Sequence, residues 1–153
     1  MADLIRYHLD DLGWFQFEWL CQSLLKAKMG LRVEAWGGHS DLGRDAYAEG
    51  EFSFRKDFLD SGTFVFQAKF VAGANAAGAD PRAAINAAVE GEMKQIRKRL
   101  VSASIQVPGY YVLITNSRLQ ATSRKALTQR ITKALPNCEP LLWGRSGFVR
   151  DAG

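Results

Sequence analysis

Residues 63–70 read TFVFQAKF, and the fold of the whole chain follows from how this octapeptide is read. Phe64, Phe66, Ala68 and Phe70 alternate with Val65, Gln67 and Lys69, the two-residue period of a β-strand whose faces differ in chemistry. One face is aromatic. The other carries an amide and an ammonium two residues apart, in a strand otherwise full of phenylalanine. A lysine so placed wants an anionic partner.

Just upstream, RKDFLDSG (55–62) is dense in turn-forming residues and reads as the tip of a hairpin, with a strand from Asp45 to about Phe54 leading into it. Antiparallel pairing sets the start of the first strand beside the end of the second, so Asp45, Gln67 and Lys69 meet at one edge of the sheet. A carboxylate, an amide oxygen and an ammonium on rigid strands can bind a divalent cation and set a water against a phosphate. Before Asp45 lie a short strand, Leu31 to Ala35, and WGGHSDLG (36–43), a turn-rich loop whose glycines allow positive φ. Asp41 is as well placed as Asp45 to cap a turn. His39 reads as a surface residue more readily than as a general base.

Further towards the N-terminus, residues 13–29 have helical periodicity. Trp14, Phe17, Leu20, Cys21, Leu24 and Leu25 form the apolar stripe, and Gly30 offers a C-cap. Glu18 falls between Trp14, Gln22 and Leu25, at the edge of that stripe. A carboxylate there is partly desolvated and asks for a cation or a donor. Its angle fits a metal ligand and an interfacial glutamate paired with lysine equally well.

Downstream, VAGANAAGAD (71–80) reads as a flexible loop closed by Pro81 at a helix start. The helix runs over roughly 82–104 on a stripe of Ile85, Val89, Met93, Ile96 and Leu100. GYYVLIT (109–115) is a buried central strand by its apolar, β-branched and aromatic run. A helix over 118–135, capped by Asn116 or Ser117, and a strand from Glu139 to Trp143 complete the pattern. The order is helix, three strands, helix, strand, helix, strand. A long helix between the third and fourth strands is a crossover, so those strands run parallel with both faces covered. The expectation is one α/β domain over 1–153, with a mixed central sheet flanked by helices.

Bulk properties narrow the function. No apolar run approaches the ~20 residues that cross a bilayer. Asp3, Asp10 and Asp11 crowd the N-terminus where a secretory signal would be basic, and a cytoplasmic, membrane-free protein is expected. Cys21 and Cys138 fit no metal-ligand spacing and are expected as buried thiols. The chain lacks a GxxxxGK[ST] loop, which argues against NTP chemistry within it. Charge is segregated. Nine Lys/Arg face one acid between Gly91 and Leu135, whereas eleven acids outnumber seven bases over 1–62. That asymmetry suits a polyanion on one side and a cation on the other, although solvated helix faces look the same. Arg97, Lys98 and Arg124 are the expected contacts to a phosphate backbone.

GHSDLGRDAYAEG (38–50) followed by FVFQAKF (64–70) resembles the paired motifs of the Mrr-like restriction endonucleases of the PD-(D/E)XK superfamily. Gln67-Ala68-Lys69 is similar to the QXK variant of that pattern, Phe17-Glu18-Trp19-Leu20 to the F-E-x-L segment of the first helix, and GYYVLITN (109–116) to the strand that follows. Nuclease effector domains of bacterial antiphage STAND NTPases share the resemblance.

It implies a restriction-endonuclease-like αβββαβ core. It also implies an Mg²⁺-dependent endonuclease, with Mn²⁺ able to substitute, that cuts double-stranded DNA in restriction or antiphage defence. Glu18, Asp45 and Gln67 would be the metal ligands, and Lys69 would lower the pKa of the attacking water or stabilise charge on the phosphorus. The active form would be a homo-oligomer, and the chain would be the N-terminal effector of a longer protein, fused to or activated by an NTPase or sensor domain. The alternatives are a nuclease-fold module that binds DNA without cutting it, and a Holliday-junction-type resolvase.

Overall fold

The computed structural model describes residues 11–29, 34–35, 45–55, 58–101 and 107–145. Helix α1 (Gly13–Met29) is followed by β1 (Glu34–Ala35), β2 (Asp45–Arg55) and β3 (Phe58–Lys69), then α2 (Arg82–Val101), β4 (Tyr110–Thr115), α3 (Ala121–Ala134) and β5 (Glu139–Trp143). The strands form one five-stranded sheet in the order β1-β2-β3-β4-β5. β1, β2 and β3 are antiparallel neighbours, and β3, β4 and β5 run parallel. The αβββαβ order and the mixed sheet are those expected from the pattern of residues.

The pleat of β3 builds two cores. Phe64 and Phe66 turn to α1, where they pack with Phe17, Cys21 and Leu25 and with Val112 and Ile114 of β4. Val65 turns the other way, into a cluster with Ile85, Val89, Met93 and Ile96 of α2, Leu127 and Ile131 of α3, and Tyr111 and Leu113 of β4. Each fully buried side chain of this size contributes about 1.5–3 kcal/mol over its exposed state. β4 is central, with Tyr111 to Thr115 all buried between β3 and β5. Among the described residues, no helix is long and apolar enough to cross a membrane.

Several details depart from the sequence reading. Trp14 is 50% exposed and lies outside the apolar stripe of α1, whose buried line is Phe17, Cys21 and Leu25. Residues 58–62, expected in the hairpin tip, are strand, paired with β2 as far as Arg55↔Phe58. Strand β4 joins β3 only from Phe64, so this outer part of the hairpin has a single neighbour and need not be apolar. The ladder crosses Gly50↔Gly62, where both residues take positive φ (150° and 144°), a conformation few L side chains tolerate. Helix α3 begins at Ala121 behind an N-cap Gln120 that makes no side-chain cap bond, so neither Asn116 nor Ser117 caps it. Gly30, His39, Asp41 and residues 31–33 lie outside the described residues.

The stretch 71–80 is not the loose loop its composition suggests. Its own turns close through Ala74 N–H to Val71 O, Ala76 N–H to Gly73 O and Ala79 N–H to Ala76 O. Ala74 is buried. Asn75 ties the stretch to the segment that follows β4, donating to Asn116 O at 2.8 Å and accepting from Arg118 N–H at 3.1 Å.

Candidate active site

The β2–β3 register sets Asp45 directly across from Gln67. Cross-strand Cα atoms in such a ladder lie about 4.5–5.5 Å apart, so the backbone places an acid within reach of the amide. Lys69 sits two residues beyond Gln67 on the same face of β3 and across from Thr115, where the parallel ladder with β4 ends. Gln67, Ala68 and Lys69 are half-buried. This is the carboxyl end of β3 and β4, the position where open sheets with parallel strands commonly place their ligands.

Gln67 is held from behind. Tyr111 is fully buried in the α2/α3 core, pairs with Val65, and donates its hydroxyl to Gln67 Oε1. A buried phenol needs a partner for its O–H, and the neighbouring strand provides an amide oxygen. Past Lys69, Asn116 grips the chain through Val71 from a fully buried position. The sequence reading passed over Tyr111, Asn116 and Asn75 as site residues. The cue was present in GYYVLITN: a hydroxyl and an amide bounding an otherwise apolar central strand must be satisfied by something local.

Glu18 lies elsewhere. It is 8% exposed on α1, beside Phe17, and its charge is felt by the Cys21 thiol. Helix α1 covers the face of β3 that carries Phe64 and Phe66, whereas Gln67 faces Tyr111 on the other side. The desolvation expected of Glu18 is present. The structure brings Asp45, Gln67 and Lys69 to one end of a strand pair and puts Glu18 on the helix across the sheet.

Of the residues expected to meet phosphates, Arg97 and Lys98 are exposed on α2. Arg124 is half-buried and committed within the fold, its Nε donating to Leu119 O at 3.1 Å and its Nη1 to Leu142 O at 2.9 Å. Cys21 and Cys138 are free, buried thiols in different clusters. Burial, and then the Glu18 charge, pushes the Cys21 thiol far up; burial, and then Glu139, pushes Cys138 up to about 12.

An aspartate at Asp45, the Gln67 amide and the Ala68 carbonyl offer oxygen donors alone, the set that a hard cation such as Mg²⁺ prefers. Among the described residues, no group of three or more His, Cys, Asp or Glu gathers.

No curated protein and no solved structure gives a significant match. A family model of the Mrr catalytic type, described as a restriction endonuclease, matches residues 9–133. That span takes in α1 through most of α3, with the whole β2–β3 hairpin and its Gln67-Ala68-Lys69 end. The chain belongs to the Mrr-type restriction endonuclease family.

Proposed function

We propose that the chain is a divalent-metal-dependent endonuclease that hydrolyses phosphodiester bonds of double-stranded DNA in bacterial defence. The observation that carries this reading is the Asp45↔Gln67 register with Lys69 two residues further along β3. Asp45, Gln67 Oε1 and the Ala68 carbonyl would hold the cation. Bound Mg²⁺ or Mn²⁺ supplies Lewis-acid polarisation of the phosphate and acidifies the attacking water. Lys69 steadies the negative charge that develops on phosphorus and the water as the bond breaks. Arg97 and Lys98 contact the phosphate backbone. Cutting both strands with one site per chain calls for two copies, and an attached NTPase or sensor domain would bring them together.

The test is incubation with supercoiled plasmid in Mg²⁺, in Mn²⁺ and in EDTA. Nicked and linear products are expected with either metal and none with EDTA. Lys69→Ala should lower the rate by about 10²–10⁴-fold, the usual worth of such a group, while leaving DNA binding intact in a gel shift. Binding without cleavage in either metal would make the chain a nuclease-fold binding module. Strong preference for four-way junctions over linear duplex would make it a resolvase.

A further inference from the structure

A glutamine at a cation site carries a difficulty that a carboxylate does not. Its amide has one acceptor end and one donor end, and the donor end repels a cation. Three side-chain bonds must also be fixed before the oxygen is aimed. In this structure the Tyr111 hydroxyl donates to Gln67 Oε1, which anchors that oxygen. The phenol itself cannot wander: it is fully buried among Val65, Val89, Met93 and Leu113, and its backbone is laddered to Val65. A carbonyl oxygen accepts twice, so the bond from Tyr111 leaves Oε1 a second acceptor position.

We propose that Tyr111 is the positioning residue for Gln67, holding the amide so that Oε1 serves as a cation ligand. The inference rests on the reading of Gln67 as a ligand given above. Its distinguishing feature lies in the comparison with a carboxylate. Two equivalent oxygens need no hydroxyl to choose between them, so the dependence on Tyr111 belongs to glutamine at this position and should vanish when glutamine is replaced by glutamate.

The experiment is calorimetric titration of Mn²⁺ into DNA-free protein for the wild type, Tyr111→Phe, Gln67→Glu and the double variant, with melting curves to confirm that each is folded. Tyr111→Phe removes one oxygen and leaves the ring packing in place. It should weaken Mn²⁺ binding about 10–100-fold in the wild-type background, the usual worth of a group that orients a ligand, and by less than about threefold in the Gln67→Glu background. Equal losses in both backgrounds would mean that the hydroxyl only supports the fold, and no loss in the wild-type background would mean that it does not orient Gln67; either result overturns the proposal. A Gln67→Ala protein that binds Mn²⁺ as tightly as the wild type would instead remove Gln67 from the metal site. Absence of Mn²⁺ binding by the wild type would sink the functional reading, and this inference with it.

Discussion

The side chain of Asn116 accepts from the Val71 N–H at 2.8 Å and donates to the Val71 carbonyl at 2.9 Å. It thereby copies a backbone rung beyond Lys69↔Thr115, the last pair of the β3–β4 ladder. The chain leaving Lys69 is fixed by a side chain where strand pairing has run out. Asn116→Asp keeps the shape and the acceptor but loses the donor, and sets a carboxylate against the Val71 carbonyl. A loss of about 1–3 kcal/mol is expected, the cost of stranding a buried polar group. The midpoint of urea unfolding should fall with the slope unchanged.

Glu18→Gln separates the two readings of the buried glutamate on α1. The ligand role that the family resemblance implies for it predicts that Mn²⁺ affinity falls about tenfold or more. Unchanged affinity in the same calorimetric titration would exclude Glu18 from the ligand set.

The basic residues should divide by what they already touch. Arg124→Ala strands the Leu119 and Leu142 carbonyls and is expected to lower stability by about 1.5–3 kcal/mol, the range for bonds from a charged donor. It should leave the salt dependence of DNA binding unaltered. Arg97→Ala and Lys98→Ala should each stay within about 0.5 kcal/mol of wild-type stability. Each should also reduce the slope of log K against log salt by about 1, as for a lost phosphate contact. Fluorescence anisotropy at several salt concentrations, beside urea melts, reads both quantities.

Cys138 gives the fold an alkaline weakness. Its pKa rises from 9.0 to about 12, first through burial and then through the Glu139 charge. The unfolded chain therefore loses this proton first. The stabilisation is fully present below pH 9 and is lost progressively as pH climbs from about 9 towards 12. Removing the thiol with Cys138→Ala should flatten the decline of melting temperature over that window relative to the wild type. In native protein at pH 8, neither Cys138 nor Cys21 should react with Ellman's reagent, and both should react in urea.

The alternation from Phe64 to Lys69 made most of the architecture legible, because a strand buried on both faces must be covered by helices on both sides. The parallel β3–β4 pair followed from the helix between them. What the sequence hid was the origin of polar satisfaction. Asn116 resembles a helix cap in one dimension and pairs with Val71 in three, since its partner lies 45 residues away. The Ala/Gly composition of 71–80 suggests freedom, yet Asn75 binds the stretch to Asn116 and Arg118 through contacts that spacing cannot reveal. The outer hairpin looked like a turn because a strand with one neighbour lacks the apolar signature of a central one. At the site, the register of Asp45 with Gln67 followed from the hairpin. The side of the sheet that Glu18 occupies did not, because a helical stripe says how deeply a residue sits but not which layer it joins.

The facing glycines Gly50 and Gly62 divide the long hairpin into a root that β4 joins from Phe64 and an outer ladder of β2 with β3. The rungs that hold Asp45, Gln67 and Lys69 lie on the root side of this glycine pair, so the backbone of the site is set without the outer ladder.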